Sequence, residues 1–218
     1  MCRRVRGIWQ ATRLMNEKDS MDSKNDNRQY RVNEIFYSLQ GEGFHTGKAA
    51  VFVRFSGCNL RCPFCDTDFS AYREMTGEEI IFQIKDYPGR FVVLTGGEPT
   101  LQVDDSLIAL FHEHGYMVAM ETNGTRQWPA ALDWSTVSPK ENVVVTQCNE
   151  LKVVFQQQSE TELENLRHQI RAAHYFLQPC DTGDAEQNKQ IVAACVEYIK
   201  EHPQWRLSLQ THKITGIK

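Results

Sequence analysis

Three cysteines within eight residues, Cys58-Asn59-Leu60-Arg61-Cys62-Pro63-Phe64-Cys65, constrain this chain more than any other feature. Seven cysteines scattered at random over 218 residues would produce a C-x3-C-x2-C run with a probability on the order of 0.01, so chance is a poor explanation. The run follows an apolar stretch and sits in a segment with Gly57 and Pro63, which marks a loop after a strand. A loop can curl until three nearby thiolates face one centre, and soft thiolates select zinc or iron–sulfur clusters. A structural zinc site wants a fourth Cys or His. None follows within forty residues, and His45, thirteen positions before Cys58, is the nearest candidate. A four-iron cluster normally takes four cysteines; three leave one iron open to bind something else, as a catalytic cluster must. Three core cysteines without metal are the remaining reading.

The other cysteines agree with this direction. Seven is an odd number, so any disulfide scheme leaves one thiol over. The first twenty residues contain no apolar core of the kind a secretory signal needs, so a cytoplasmic protein with reduced thiols is expected. Cys148 and Cys195 read as buried small residues, and Cys180 and Cys2 carry no ligand spacing.

A net charge of -4 excludes a strongly basic nucleic-acid binder, and no apolar run approaches the roughly 18 residues of a membrane span. The charge is uneven. Residues 1–29 hold seven basic and four acidic groups, net +3, which leaves 17 basic and 24 acidic groups, net -7, on residues 30–218. The stretch 16–29 is almost free of apolar residues, so it reads as a disordered tail or a wrongly assigned start, with Met21 the alternative initiator. A nucleic-acid arm or a transit peptide is the competing reading of this tail. Glu17, Asp19 and Asp22 speak against the transit pattern.

From residue 30 onward strand and helix signals alternate. Short runs rich in Val, Ile, Leu and Phe predict strands at 49–56, 91–95, 116–121, 151–155, 174–178 and 206–210. Helices are expected at 77–86, 105–114, 161–172 and 185–201. Thr76 with Glu79 and Ser159 with Glu162 have capping-box spacing, and Gly115 suits a helix end. Ile191, Ala194, Cys195, Tyr198 and Ile199 recur on one helical face. Such alternation implies an α/β fold with a parallel sheet and helices outside. About six units are too few for a closed barrel of eight, which needs about 250 residues, so a partial (β/α)6-type open barrel is expected.

The cysteine loop after the first predicted strand resembles the signature of radical S-adenosylmethionine (SAM) enzymes, and Phe64 before the third cysteine also fits. Thr95-Gly96-Gly97-Glu98-Pro99, at the end of the next strand, resembles the GGEP turn of that superfamily. Asn33 to Gly43, read as Asn-Glu-Ile-Phe-Tyr-Ser-Leu-Gln-Gly-Glu-Gly, narrows the likeness to the 7-carboxy-7-deazaguanine synthase family. Cys65-Asp66-Thr67, Glu121-Thr122-Asn123-Gly124, Ser138-Pro139-Lys140 and Gln210-Thr211-His212-Lys213 extend it from about residue 31 to the end. Two departures stand out: Asn123 takes the place of a more usual serine, and Thr215-Gly216-Ile217-Lys218 lacks a terminal proline, so no terminal substrate contact is assigned.

The resemblance implies a radical SAM core and a lyase that turns 6-carboxy-5,6,7,8-tetrahydropterin into 7-carboxy-7-deazaguanine, with ring contraction and loss of ammonia, on the route to queuosine. It implies a [4Fe-4S] cluster on Cys58, Cys62 and Cys65, SAM regenerated through a 5′-deoxyadenosyl radical, and Mg²⁺ on Thr67. Substrate contacts fall on Leu39, Gln40, Gly41, Arg54 and Thr95. SAM contacts fall on Phe64, Cys65, Asp66, Gly97, Ser138, Pro139 and Lys140, extended by Gln178, Pro179, Cys180 and Asp181. Implied partners are the pterin, an electron donor such as a flavodoxin or ferredoxin, and a second copy in a homodimer, with neither membrane nor direct nucleic-acid contact.

Read without the resemblance, several of these residues have plainer roles. Residues 39–43 read as a hairpin turn, Arg54 as an outward-facing arginine on a half-buried strand, and Lys140 as a solvated loop lysine. His112, His114, His168 and His202 read as surface residues, and only His212 falls near the expected site. Two other functions stay in view: an activase that makes glycyl radicals on a protein substrate, and a non-catalytic metal or redox module.

Overall fold

The computed structural model describes residues 28–63, 65, 68 and 70–218. The expected tail up to residue 27, including its alternative start, and the site candidates Phe64, Asp66 and Thr67 lie outside the described residues.

Nine strands form one sheet in the order β3-β1-β2-β4-β5-β6-β7-β8-β9. Strand β1 (Gln29–Leu39) runs antiparallel to β2 (Ala49–Phe55) and to β3 (Arg73–Thr76). From β2 on, every neighbouring pair is parallel: β4 (Phe91–Gly96), β5 (Met117–Thr122), β6 (Trp134–Val137), β7 (Gln147–Phe155), β8 (Arg171–Pro179) and β9 (Arg206–Leu207). The edge strands β3 and β9 are not paired with each other, so the barrel stays open, as the number of units suggested.

Among the described residues the helices are α1 (Gly77–Ile84), α2 (Asp105–Glu113), α3 (Glu160–Gln169), α4 (Ala185–Glu201) and the short α5 (Thr211–Thr215). Their starts follow the sequence signals. Thr76 and Ser159 close reciprocal capping boxes with Glu79 and Glu162, while Asp104 and Asp184 accept from the backbone of Leu107 and Gln187. Gly115 follows α2 in the left-handed conformation, with φ of 74°. On α4 only Ile191 and Cys195 of the expected face are fully covered.

Several expected boundaries move. Ser56 and Tyr116 fall outside their strands, β7 and β8 begin earlier than expected, and β9 ends at Leu207 rather than 210. Asp86 and His114 fall outside α1 and α2, and α3 stops at Gln169 because Ile170, just before β8, is already extended and buried. Strands β1, β3 and β6 were not anticipated. No helix links β5 to β6 or β6 to β7; Gly124, Pro129 and Pro139 in those connections deny helical continuity.

Alternation along the strands sorts side chains into two layers. Val51, Val53, Phe55, Val92, Leu94, Val118 and Met120 face outward and pack with Ile80, Ile84, Leu107 and Phe111 of α1 and α2. Leu151, Val153, Phe155 and Leu177 do the same with Leu163, Ile191 and Cys195 of α3 and α4. The opposite parity, including Phe36, Phe52 and Val93, turns into the barrel. Among the described residues, no helix is long and apolar enough to cross a membrane.

Candidate active site

One cavity of about 1120 Å³ occupies the barrel interior. Its walls are the inward-facing residues Phe36, Phe52, Arg54, Thr95, Glu121, Lys152, Val154 and Gln178, with the cysteine loop at its mouth. Most expected contacts meet there: Leu39, Gln40, Gly41, Arg54, Thr95, Gly97, Ser138, Lys140, Gln178, Pro179, Cys180 and Asp181, together with Cys58, Cys62 and Cys65. Pro139 is buried and does not line the cavity. His212 lines the cavity, as expected, and Cys180 does so as well.

The glycines of the turn after β4 serve a packing need first. The Gly97 amide donates to the Phe55 carbonyl (2.9 Å) and the Glu98 amide to the Gly57 carbonyl (2.9 Å), tying this turn to the root of the cysteine loop. A methyl group on Gly97 would lie 2.0 Å from the Gly57 carbonyl oxygen, and one on Gly96, at φ of 112°, would lie 2.4 Å from that of Phe55. Close backbone approach is thus required here by the protein itself.

Glu98 completes the junction. Fully buried, its carboxylate accepts from the Thr100 amide (3.0 Å), the Thr100 hydroxyl (2.7 Å), the Thr122 hydroxyl (2.7 Å) and the Asn123 amide (2.8 Å). Asn123 then donates to Asn59 (3.0 Å), and Asn59 donates to Thr125 (2.8 Å), so the loops after β2, β4 and β5 share one network. The asparagine that departs from the expected serine at 123 is part of this lacing.

The three thiols face the same cavity. Burial pushes the Cys58 thiol up, opposed by the Leu60 amide that donates to its sulfur at 3.4 Å; the neighbouring Cys62 and Cys65 push it further up. A thiol raised in this way is released as a thiolate when a cation joins it. Among the described residues, no three His, Cys, Asp or Glu side chains crowd one point as the ligands of a single ion do. A four-iron cube takes its thiolates on separate irons, and three soft donors sharing a cavity mouth suit that group. Lys140 is half-buried beside them rather than free in solvent; burial lowers its amine pKa, and the Cys62 thiol works the other way.

The opposite wall is polar and was only partly anticipated. Gln40 donates to Glu121 (2.9 Å), Gln210 donates to Glu42 (3.1 Å), and Lys152 forms an ion pair with Glu42 and stands 3.8 Å from Glu121. Glu150, on the same strand as Lys152, accepts from the Phe44 amide (3.1 Å) and so holds the loop from Gln40 to Lys48. That loop is a hairpin connection, as the plainer reading of residues 39–43 had it, and also a cavity wall. Gly43, at φ of 65°, leaves room for the Glu150 carboxylate, since a methyl group would lie 2.0 Å from its oxygen. Helix α5 docks on the loop through Thr211, whose amide (3.0 Å) and hydroxyl (2.9 Å) donate to the Gly41 carbonyl, and Lys213 reaches Asp181 at 2.7 Å.

Arg54 points inward, against the plainer expectation. Its Nε lies 3.7 Å from Glu34 and its guanidinium 5.3 Å from the centre of the Phe36 ring, yet Nε has no hydrogen-bond partner among the described residues. His45, the nearest candidate for a fourth zinc ligand, does not line the cavity and packs among Phe44, Phe91 and Trp134. His202 is half-buried against Tyr198 rather than on the surface, Cys148 is half-buried, and His112, His114 and His168 are exposed as expected.

His45 carries a pH prediction. Burial first, then Lys48 and His174, lower its pKa from 6.5 to about 4. A depressed folded-state value means that the unfolded chain binds the proton more tightly, so stability is present above pH 6.5 and falls as the pH drops toward 4. Thermal melts of His45→Phe are expected to lose part of this acid slope; a slope identical to that of the parent protein would contradict the reading.

The Radical SAM superfamily profile matches residues 52–134, the stretch that holds the cysteine loop and the turn after β4. A 7-carboxy-7-deazaguanine synthase of Bacteroides thetaiotaomicron is 50% identical over 190 residues, spanning 86% of this chain and 98% of that protein. One from Caulobacter vibrioides is 44% identical over 212 residues, spanning 86% and 99%. The crystal structure of QueE from Escherichia coli superposes with a TM-score of 0.71 at 29% identity, covering 85% of this chain and 95% of that one. With a thiol-lined barrel mouth, the matching profile and relatives spanned almost end to end, the chain belongs to the 7-carboxy-7-deazaguanine synthase family of radical SAM enzymes.

Proposed function

We propose that this enzyme converts 6-carboxy-5,6,7,8-tetrahydropterin to 7-carboxy-7-deazaguanine, contracting the ring and releasing ammonia. The observation that carries the reading is the cavity of about 1120 Å³ that joins three thiols at its mouth to an arginine and a row of carboxylates and amides inside. Pockets for one drug-sized ligand run to about 300–1,000 Å³, so two small molecules can lie side by side here.

When bound, a [4Fe-4S] cluster and SAM would supply one-electron chemistry and the 5′-deoxyadenosyl radical that abstracts hydrogen from the pterin. Cys58, Cys62 and Cys65 would hold the cluster. Gly97, Ser138 and Lys140, with Phe64 and Asp66, would hold SAM, extended by Gln178, Pro179, Cys180 and Asp181, with Pro139 setting the backbone between Ser138 and Lys140. Thr67 would give Mg²⁺ a protein oxygen, in keeping with a hard cation that takes few protein ligands. A small one-electron carrier of the flavodoxin or ferredoxin class would reduce the cluster.

Inside the barrel, Arg54 offers a guanidinium with an unfilled donor, suited to the carboxylate of the substrate. Leu39, Gln40, Gly41 and Thr95 would complete the pterin wall, and Glu42 and Glu121 face the cavity as acceptors for ring N–H groups. Such a floor suits a small ring carrying both donors and an acid better than a protein backbone, which disfavours the activase.

Anaerobic reaction of the reconstituted enzyme with pterin, SAM, Mg²⁺ and a reductant is expected to give a product lighter by ammonia; an intact cluster with no such product overturns the proposal. Arg54→Met is expected to raise KM for the pterin by about 10- to 100-fold, since a hydrogen bond to a charged group contributes about 1.5–3 kcal/mol. Steady-state kinetics check this, and an unchanged KM would remove Arg54 from the substrate site.

A further inference from the structure

We propose that Lys152 is the positioning residue of the pterin site: its buried ammonium holds Glu42 and Glu121 side by side as anions facing the cavity, ready to accept the N–H edge of the ring. The inference rests on the functional reading above and deepens it.

Lys152 owes its place to the pleat of β7. Leu151, Val153 and Phe155 turn outward to the helices, so Glu150, Lys152 and Val154 turn into the barrel. A lysine there is almost wholly removed from water, with 4% of its side chain exposed, and a buried ammonium persists only beside opposite charge. It has that on two sides: an ion pair to Glu42 from the β1–β2 loop and a contact of 3.8 Å to Glu121 from β5. Lys152 therefore stands between the two carboxylates and bridges them. Gln210 and Gln40 fix the remaining orientation, each donating to one of the two acids (3.1 and 2.9 Å).

Electrostatics point the same way. Burial opposes the charge of Glu42, but the Lys152 ammonium and hydrogen bonds from Lys152 and Gln210 outweigh it and hold the carboxyl below its usual range. Burial likewise opposes the charge of Lys152, and Glu121, Glu42 and Glu150 together overcome it. The other charged or titratable groups that act on this cluster are Glu150 on its own strand, Lys140 after β6 and His212 on α5. Glu150 stands apart: with burial as the main cause, its carboxyl titrates above its usual value. Without Lys152, Glu42 would meet its burial uncompensated, and a protonated acid presents a donor where the ring needs an acceptor.

The test is equilibrium binding of 6-carboxypterin, the oxidised and unreactive relative of the proposed substrate, to the anaerobic holoenzyme between pH 5.5 and 7. In the parent protein, affinity is expected to stay level across this window because the ammonium keeps Glu42 ionised. Lys152→Met is expected to bind about tenfold more weakly at pH 5.5–6 and to recover as the pH rises, one unit of pKa being a factor of ten. Iron content and circular dichroism establish that the variant is folded. Should the lone carboxylate prevent folding, the double variant Glu42→Gln with Lys152→Met leaves no unpaired Glu42 charge and is expected to bind about tenfold more weakly than the parent at every pH of the window, with no acid limb; an acid limb in it overturns the proposal. A folded Lys152→Met variant with the level profile of the parent overturns the proposal, as does a parent protein whose own affinity falls from pH 7 to 5.5. A parent protein that binds no 6-carboxypterin at any pH overturns the functional reading and this one with it. Binding by the parent together with an unaltered Lys152→Met overturns the role of Lys152 alone.

Discussion

Gly97→Ala is expected to lower turnover by about 100-fold or more while leaving most of the barrel folded. The added methyl group would sit 2.0 Å from the Gly57 carbonyl oxygen and 2.5 Å from its carbon, both backbone atoms that cannot rotate away. Relief requires the turn after β4 and the cysteine loop to separate by more than an ångström, which breaks the paired contacts of Gly97 to Phe55 and Glu98 to Gly57. Misplacing reacting groups by about 1 Å costs about 100-fold in rate. Because the strain falls between the thiol loop and the turn expected to hold SAM, iron content and the spectral response to SAM should fall together. Activity assays, iron analysis and absorbance after anaerobic reconstitution check this; wild-type values for all three would contradict the proposed junction.

Glu98→Ala is expected to have the largest effect on stability, about 3–5 kcal/mol, or on the order of 10 °C in melting temperature. Its carboxylate is 0% exposed and receives four hydrogen bonds from Thr100, Thr122 and Asn123. Truncation strands the Thr100 and Asn123 amides and the Thr122 hydroxyl, each at about 1–3 kcal/mol when buried without a partner. Glu98→Gln keeps the shape but puts an NH2 group among donors, so it should recover only part of the loss. Anaerobic thermal melts of the holoenzyme check both; a shift of under two degrees for Glu98→Ala would mean that the network is dispensable.

Reading the chain succeeded where local chemistry suffices. Each capping box marks its helix start because Thr76 and Ser159 need only a partner three residues on. Strands β2 and β4 announce themselves because apolar side chains cover both of their faces, and β7 and β8 because the face toward the helices is an unbroken apolar row. What escaped depends on contacts distant in sequence. Strand β3 is Arg-Glu-Met-Thr with one buried residue, a strand only because β1 lies beside it. Strand β6, Trp-Ser-Thr-Val, is held between β5 and β7 with too few apolar residues to stand out.

The site divides along the same line. The cysteine loop and the glycine turn are contiguous motifs and are visible in the chain. Arg54 could not be assigned a side, because the strand is apolar on both faces and only the curl of the sheet decides which parity points inward. Lys152 carried a signal, a charge at alternate spacing with Glu150 in an apolar run, but its partners Glu42 and Glu121 lie 110 and 31 positions away. The reason for Gly96 and Gly97 also sharpens: the residue they accommodate is the backbone of the cysteine loop.

The central claim, a radical lyase acting on a small pterin, is tested most directly by counting product molecules against SAM consumed. The anaerobic enzyme is given a limiting amount of SAM, excess 6-carboxy-5,6,7,8-tetrahydropterin, Mg²⁺ and a reductant. Many molecules of 7-carboxy-7-deazaguanine are expected for each SAM lost. SAM consumed without the deazaguanine acid, by an enzyme whose cluster is intact, would contradict it.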